Sequence, residues 1–86
     1  EDINPKAPVH LLAIPKRHLA TIMDFGQGDA PLLAALFLGM NQVAAEKKMD
    51  GSGFRLVVNN GTDAGQEVDH LHFHMLAGRK MSWPPG

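Results

Sequence analysis

Between Val68 and Leu76, His70, His72 and His74 occupy every second position, with Leu71, Phe73 and Met75 between them. Successive side chains of an extended strand point to opposite faces, so a period of two prescribes a strand with one imidazole-bearing face and one apolar face. The apolar face must be covered, which commits the rest of the chain to building a layer against it. Three neutral imidazoles buried side by side would each need donor and acceptor partners in a dry core, a cost an aliphatic side chain avoids. The histidine face is read as chemistry rather than packing.

The covering layer has one clear source. From Ala30 to about Met49 the chain is rich in Ala, Leu and Met, with Asp29 as N-cap and Pro31 in the first turn, which predicts a long helix. Leu33, Leu36, Phe37, Met40 and Ala44 recur at helical spacing as a core-facing stripe, and Leu32, Val43 and Met49 widen it. Before the helix, Val9 to Ile14 is an almost continuous apolar run ended by Pro15, which predicts an interior strand covered on both sides and carrying His10. A short helix is expected around Leu19 to Met23. After the helix, Asp50-Gly51-Ser52-Gly53 is a stop, and Phe54 to Asn60 predicts a strand. The loop from Gly61 to Gln66 then joins it to the histidine strand, so the last two strands are expected antiparallel and the fold class α+β. The proline-rich end carries the chain's one tryptophan, Trp83, which is expected to find cover, for instance on a neighbouring subunit.

Composition narrows the partners. With 86 residues the chain is expected to form a single small domain, and 44% apolar and 20% charged residues are ordinary for a globular one. A net charge of −1 offers no broad cationic surface for nucleic acid, and no apolar run is long enough to span a bilayer. The absence of cysteine removes thiolate metal sites and cysteine nucleophiles together. A cytoplasmic location is the expectation.

Two chemistries compete for the histidines. Side chains two apart in a strand start about 6.5–7 Å apart, so His70 and His74 are too far separated to share one tetrahedral ion easily, although two of the three with His10 could hold zinc. A nucleophile uses the spacing better: a central His72 acts through one nitrogen while the other is fixed, and its neighbours orient it or protonate a leaving group. The Gly61–Gln66 loop offers backbone N–H groups for an anion, and Asn59 adds a neutral donor.

The stretch from Gly65 to Leu76 closely resembles the histidine-triad motif, His-φ-His-φ-His-φ-φ with φ apolar. Asp2 to His10, Ile14 to His18, Arg55 to Gly61 and Gly78 to Gly86 are also similar to the Hint branch of histidine-triad nucleotide-binding proteins. The resemblance implies a HIT-like antiparallel sheet with one long helix, a homodimer, and hydrolysis of purine nucleoside 5′-phosphoramidates with no cofactor or metal required. It implies His72 as nucleophile, His74 toward the phosphate and leaving group, and His70 and His10 in support. Asn59, Gly65 and the Gln66–Glu67 backbone would contact an AMP-like phosphate, with Asp2 on the ribose and Ile3 against the base. Members of this branch have also been described as kinase-interacting factors, so the alternative is a non-catalytic module that binds a purine nucleotide or a protein. Two features depart from the family pattern. Glu67 stands where some members have serine, which bears on the leaving group, and the segment that usually precedes the Asp2–Ile3 region is expected to be missing from residues 1–86.

Overall fold

The computed structural model describes residues 7–86. Three strands, β1 (Val9–Ala13), β2 (Arg55–Val58) and β3 (Phe73–Ala77), form one sheet in the order β1-β3-β2, and both outer strands run antiparallel to β3. Among the described residues one α-helix, α1 (Ala30–Glu46), joins β1 to β2, preceded by two 3-10 turns at Ile22–Asp24 and Gln27–Asp29. The α+β class and the antiparallel pairing of the last two strands are as the sequence indicates. The apolar run of β1 is not interior: among the described residues β1 is an edge strand and β3 is central.

The register divides the sheet into two faces. Leu11 opposes Met75, which opposes Leu56, while Leu12 opposes His74, which opposes Val57. The first row lies on the covered face, where Phe73, Met75 and Ala77 are buried together with Met40 and Ala44 of α1. Leu71 and Met75 are almost wholly excluded from solvent, at 1% and 2% exposure. Each buried side chain of this size contributes about 1.5–3 kcal/mol of transfer free energy, so this face holds the sheet to the helix.

Helix α1 presents a narrower stripe than its sequence predicts. Met40 and Ala44 are buried and Leu32, Leu36 and Val43 partly so, whereas Leu33 and Phe37 are 37% and 39% exposed. A three-stranded sheet spans only part of the apolar arc, and Leu33 and Phe37 lie at its margin; Phe37 makes an edge-to-face contact with Phe73 at 5.6 Å between centroids. The helix ends at Glu46, short of Met49, because Lys48 takes a left-handed backbone (φ 59°). Met49 N–H donates to the Ala44 carbonyl at 2.7 Å and Lys48 N–H to that of Ala45 at 3.1 Å, a Schellman closure that turns Met49 into the core.

Asp29 stands at the N-cap position, but its carboxylate accepts from Gly26 N–H at 2.9 Å and pairs with Arg17, closing the preceding turn rather than the helix. The Gly26 hydrogen bond first, and the Arg17 guanidinium second, hold its carboxyl below the usual range. β2 is shorter than expected, at Arg55–Val58. Within the single chain Trp83 is 81% exposed, with the Arg55 guanidinium 6.0 Å from its ring centroid. Among the described residues no helix is long and apolar enough to cross a membrane.

Candidate functional site

The histidine segment is only partly strand. β3 begins at Phe73, so His74 lies in the ladder, His72 just before it and His70 in a bend. The ladder stops there because its partners run out: Ala13 and Val58 both pair with Phe73, and two residues beyond Ala13 stands Pro15, which has no N–H to donate. Another anchor takes over, as Leu71 N–H donates to the Leu19 carbonyl at 2.6 Å. The apolar half of the alternation survives this change, since Leu71, Phe73 and Met75 are all buried. The histidine half is redistributed from a row of three into two linked groups.

In the first group the rings of His72 and His74 meet edge-on, with centroids 5.0 Å apart, and His10 lies behind His74. His10 Nε2 and His74 Nδ1 are 2.8 Å apart, sharing one hydrogen bond across the β1–β3 pair. At 6% exposure His10 is buried although it lies on the histidine face of the sheet, opposite the core, and this bond gives its ring a partner. His72 Nδ1 lies 2.8 Å from the backbone carbonyl of His70, an oxygen that can only accept. His72 must then carry its proton on Nδ1, which places the lone pair of the neutral ring on Nε2.

The second group pairs His70 with His18, whose Nδ1 atoms are 2.7 Å apart. In the sequence His18 stands out only as the end of the Ile14–His18 stretch, with no role of its own. Nothing local marks it, because its partner lies 52 residues further along the chain. Among the described residues no set of three or more His, Asp or Glu side chains converges as a metal-binding group.

The loop before the histidines is more self-contained than its glycines suggest. Gln66 N–H donates to the Gly61 carbonyl, Gly65 N–H to that of Thr62, and Gly61 N–H to Gln66 Oε1, at 2.9–3.1 Å. The Gln66 side chain also donates to the carbonyls of Ala20 and Val68. The N–H groups of Gly65 and Gln66, expected to face a phosphate, are thus engaged inside the loop. Glu67, the next residue, is exposed and its N–H bonds to no described residue. Asn59 is half-buried at the end of β2, and the neighbouring Asn60 Oδ1 is buried without a hydrogen-bond partner among the described residues. Asp2 and Ile3 lie outside the described residues.

Beside His72 is a recess of about 290 Å³ lined by Leu12, Ile14, Val68, His70 and His72, apolar apart from the two imidazoles. A larger cleft of about 450 Å³ lies between β1 and α1. It is lined mainly by aliphatic side chains such as Leu11, Leu36, Met40 and Val43, and contains no histidine. The imidazoles therefore border the smaller recess and not the larger cleft.

An imidazole array on one face of a three-stranded antiparallel sheet, backed by a single helix, is a fold and site with known relatives. Residues 1–81 match the model of the HIT domain, and the chain belongs to that family. An uncharacterized HIT-like protein of Synechocystis is 50% identical over all 86 residues, which span 75% of its length. The crystal structure of a HIT family hydrolase from Legionella pneumophila superposes with a TM-score of 0.95 at 48% identity, covering 99% of this chain and 76% of that one. A histidine triad nucleotide-binding protein from Candida albicans gives a TM-score of 0.76 at 30% identity, covering 96% and 64%. The fold is that of HIT-family hydrolases.

Proposed function

We propose that the protein hydrolyses purine nucleoside 5′-phosphoramidates through a nucleotidyl-histidine intermediate on His72. The observation that carries this reading is the bond from His72 Nδ1 to the His70 carbonyl, which leaves the Nε2 lone pair as nucleophile beside His74. Nε2 attacks the α-phosphorus and the P–N bond to the amine breaks. An amine leaves poorly unless protonated, so His74 supplies a proton to the departing nitrogen. Water then attacks the phosphorus, His74 accepts its proton, and the P–Nε2 bond to His72 breaks to release the nucleoside monophosphate.

His10 serves this cycle from behind. Its bond to His74 Nδ1 fixes the ring and directs proton transfer through Nε2. Phosphate contacts are assigned to Asn59 and to the backbone at Glu67, and the apolar recess at Leu12 and Val68 suits a nonpolar portion of the substrate. Asp2 on the ribose and Ile3 against the base complete the proposed nucleotide site, and no cofactor is needed. The nucleotide-binding name of the Candida relative supports an AMP-like ligand.

A fluorogenic adenosine phosphoramidate tests the reading. Turnover is expected in excess chelator and is lost in His72→Ala. Binding of AMP with no turnover would make the protein a non-catalytic nucleotide-binding module, and loss of turnover on chelation would return the histidines to a metal.

A further inference from the structure

We propose that Asn60 is a site of spontaneous covalent modification, deamidation of its side chain, and that the hydrogen bond from Gly61 N–H to Gln66 sets the rate. Asn60-Gly61 is the one Asn-Gly step in the sequence. A following glycine has no Cβ to hinder its backbone nitrogen, which is the nucleophile of the reaction. Gly61 nitrogen gives its proton to solvent and bonds to Asn60 Cγ, the Cγ–Nδ2 bond breaks, and ammonia leaves. Water then opens the cyclic imide at one carbonyl or the other, giving aspartate or isoaspartate. Water is the only other reactant.

The two reacting groups are held unequally. Asn60 Oδ1 is buried and accepts no hydrogen bond from a described residue, so no donor fixes the amide carbonyl. Gly61 has φ of +87°, and beyond its chain neighbours nothing lies within 4 Å of where a Cβ would stand, so packing does not lock it either. Its N–H, by contrast, donates to Gln66 Oε1 at 2.9 Å, a bond that keeps the proton on the nitrogen. Gln66 cannot swing aside easily. Its Nε2 donates to the carbonyls of Ala20 at 2.7 Å and Val68 at 3.0 Å, and its own N–H donates to the Gly61 carbonyl at 3.1 Å. One side chain thus guards the nucleophile.

Conversion places a carboxylate at a buried oxygen that has no donor, and isoaspartate adds a backbone atom between β2 and the loop. The new charge adjoins Asn59, so phosphate binding weakens; this consequence rests on the assignment of phosphate to Asn59, whereas the modification itself does not.

Peptide mass spectrometry after incubation at mildly alkaline pH tests the proposal, reading aspartate and isoaspartate at position 60. Native wild type is expected to convert more slowly than the same chain unfolded in urea. Gln66→Met, which removes the acceptor, is expected to convert about three- to tenfold faster than native wild type, the rate equivalent of one hydrogen bond. Gly65→Ala strains the other end of the loop, where φ is +81°, but keeps the Gln66 side chain, and its rate is expected to stay within about twofold of wild type. Equal rates in native and unfolded wild type overturn the proposal even if Gln66→Met does not fold. An acceleration in Gly65→Ala as large as in Gln66→Met also overturns it, because loop strain would then set the rate. Asn60→Asp is expected to weaken AMP binding about tenfold. Unchanged AMP affinity in that variant would contradict the assignment of phosphate to Asn59 and leave the modification standing.

Discussion

At the scale of single residues, the five histidines differ by what each ring nitrogen touches. A carbonyl fixes His72, a buried imidazole fixes His74, and an exposed imidazole meets His70. General acid catalysis matters in proportion to how badly the leaving group needs a proton. His74→Ala is accordingly expected to slow release of an alkylamine by about 10²–10⁴-fold, the usual range for a positioned general acid, and release of an activated phenol much less. Equal loss on both substrates would remove His74 from the leaving-group side. The carboxylate of Asp29 gives a separate prediction, on stability. Its folded-state pKa is depressed, so its contribution is present above the unfolded value of about 3.9 and is lost as pH falls through the lower folded value. The stability gap between wild type and Asp29→Asn, measured by urea unfolding, should therefore hold steady from neutral pH down to the ordinary carboxylate range and narrow only below it, as pH falls toward the depressed folded value. A gap independent of pH would contradict the assignment.

At the scale of elements, Gly78 shows how β3 is ended. It has φ of +97°, and a Cβ added there would lie 2.8 Å from the Pro8 side chain at the entrance to β1. Gly78→Ala meets both penalties at once and is expected to cost about 2–4 kcal/mol in chemical denaturation. A cost below about 1 kcal/mol would show that the junction can relax. The elements themselves were largely legible in sequence, because apolar periodicity and turn residues are local signals. Alternation at Leu71, Phe73 and Met75 marked the buried face, and Asp29 with Pro31 marked the start of α1. What was hidden depends on partners distant in sequence. Nothing near His70 shows that the β-ladder begins only at Phe73, and nothing near Lys48 announces a left-handed closure at a residue other than glycine. The closure of the glycine loop is local but equally silent in composition, since Gly61 N–H donates to the side-chain oxygen of Gln66. His10 was legible as a polar residue in an apolar strand; His18, outside any strand, was not.

At the scale of the whole molecule, β1 and β2 leave sheet edges among the described residues, and apolar side chains remain in the open. Leu38 and Trp83 are 67% and 81% exposed, and Leu33 and Phe37 flank the buried stripe of α1. Such a surface supports the proposed homodimer, in which a second copy covers part of the helix and a sheet edge. Analytical ultracentrifugation at micromolar concentration is expected to give twice the monomer mass, and a Leu38→Glu variant to shift toward monomer. A monomeric wild type would contradict the assembly while leaving the histidine chemistry untouched. That chemistry concentrates on one bond, between phosphorus and His72 Nε2. Rapid acid-free quenching of the protein with an adenosine phosphoramidate, followed by peptide mass spectrometry, should locate a covalent adenylyl group on His72 and on no other residue. An adduct on His70, His74 or His10, or turnover through no covalent species at all, would contradict the account.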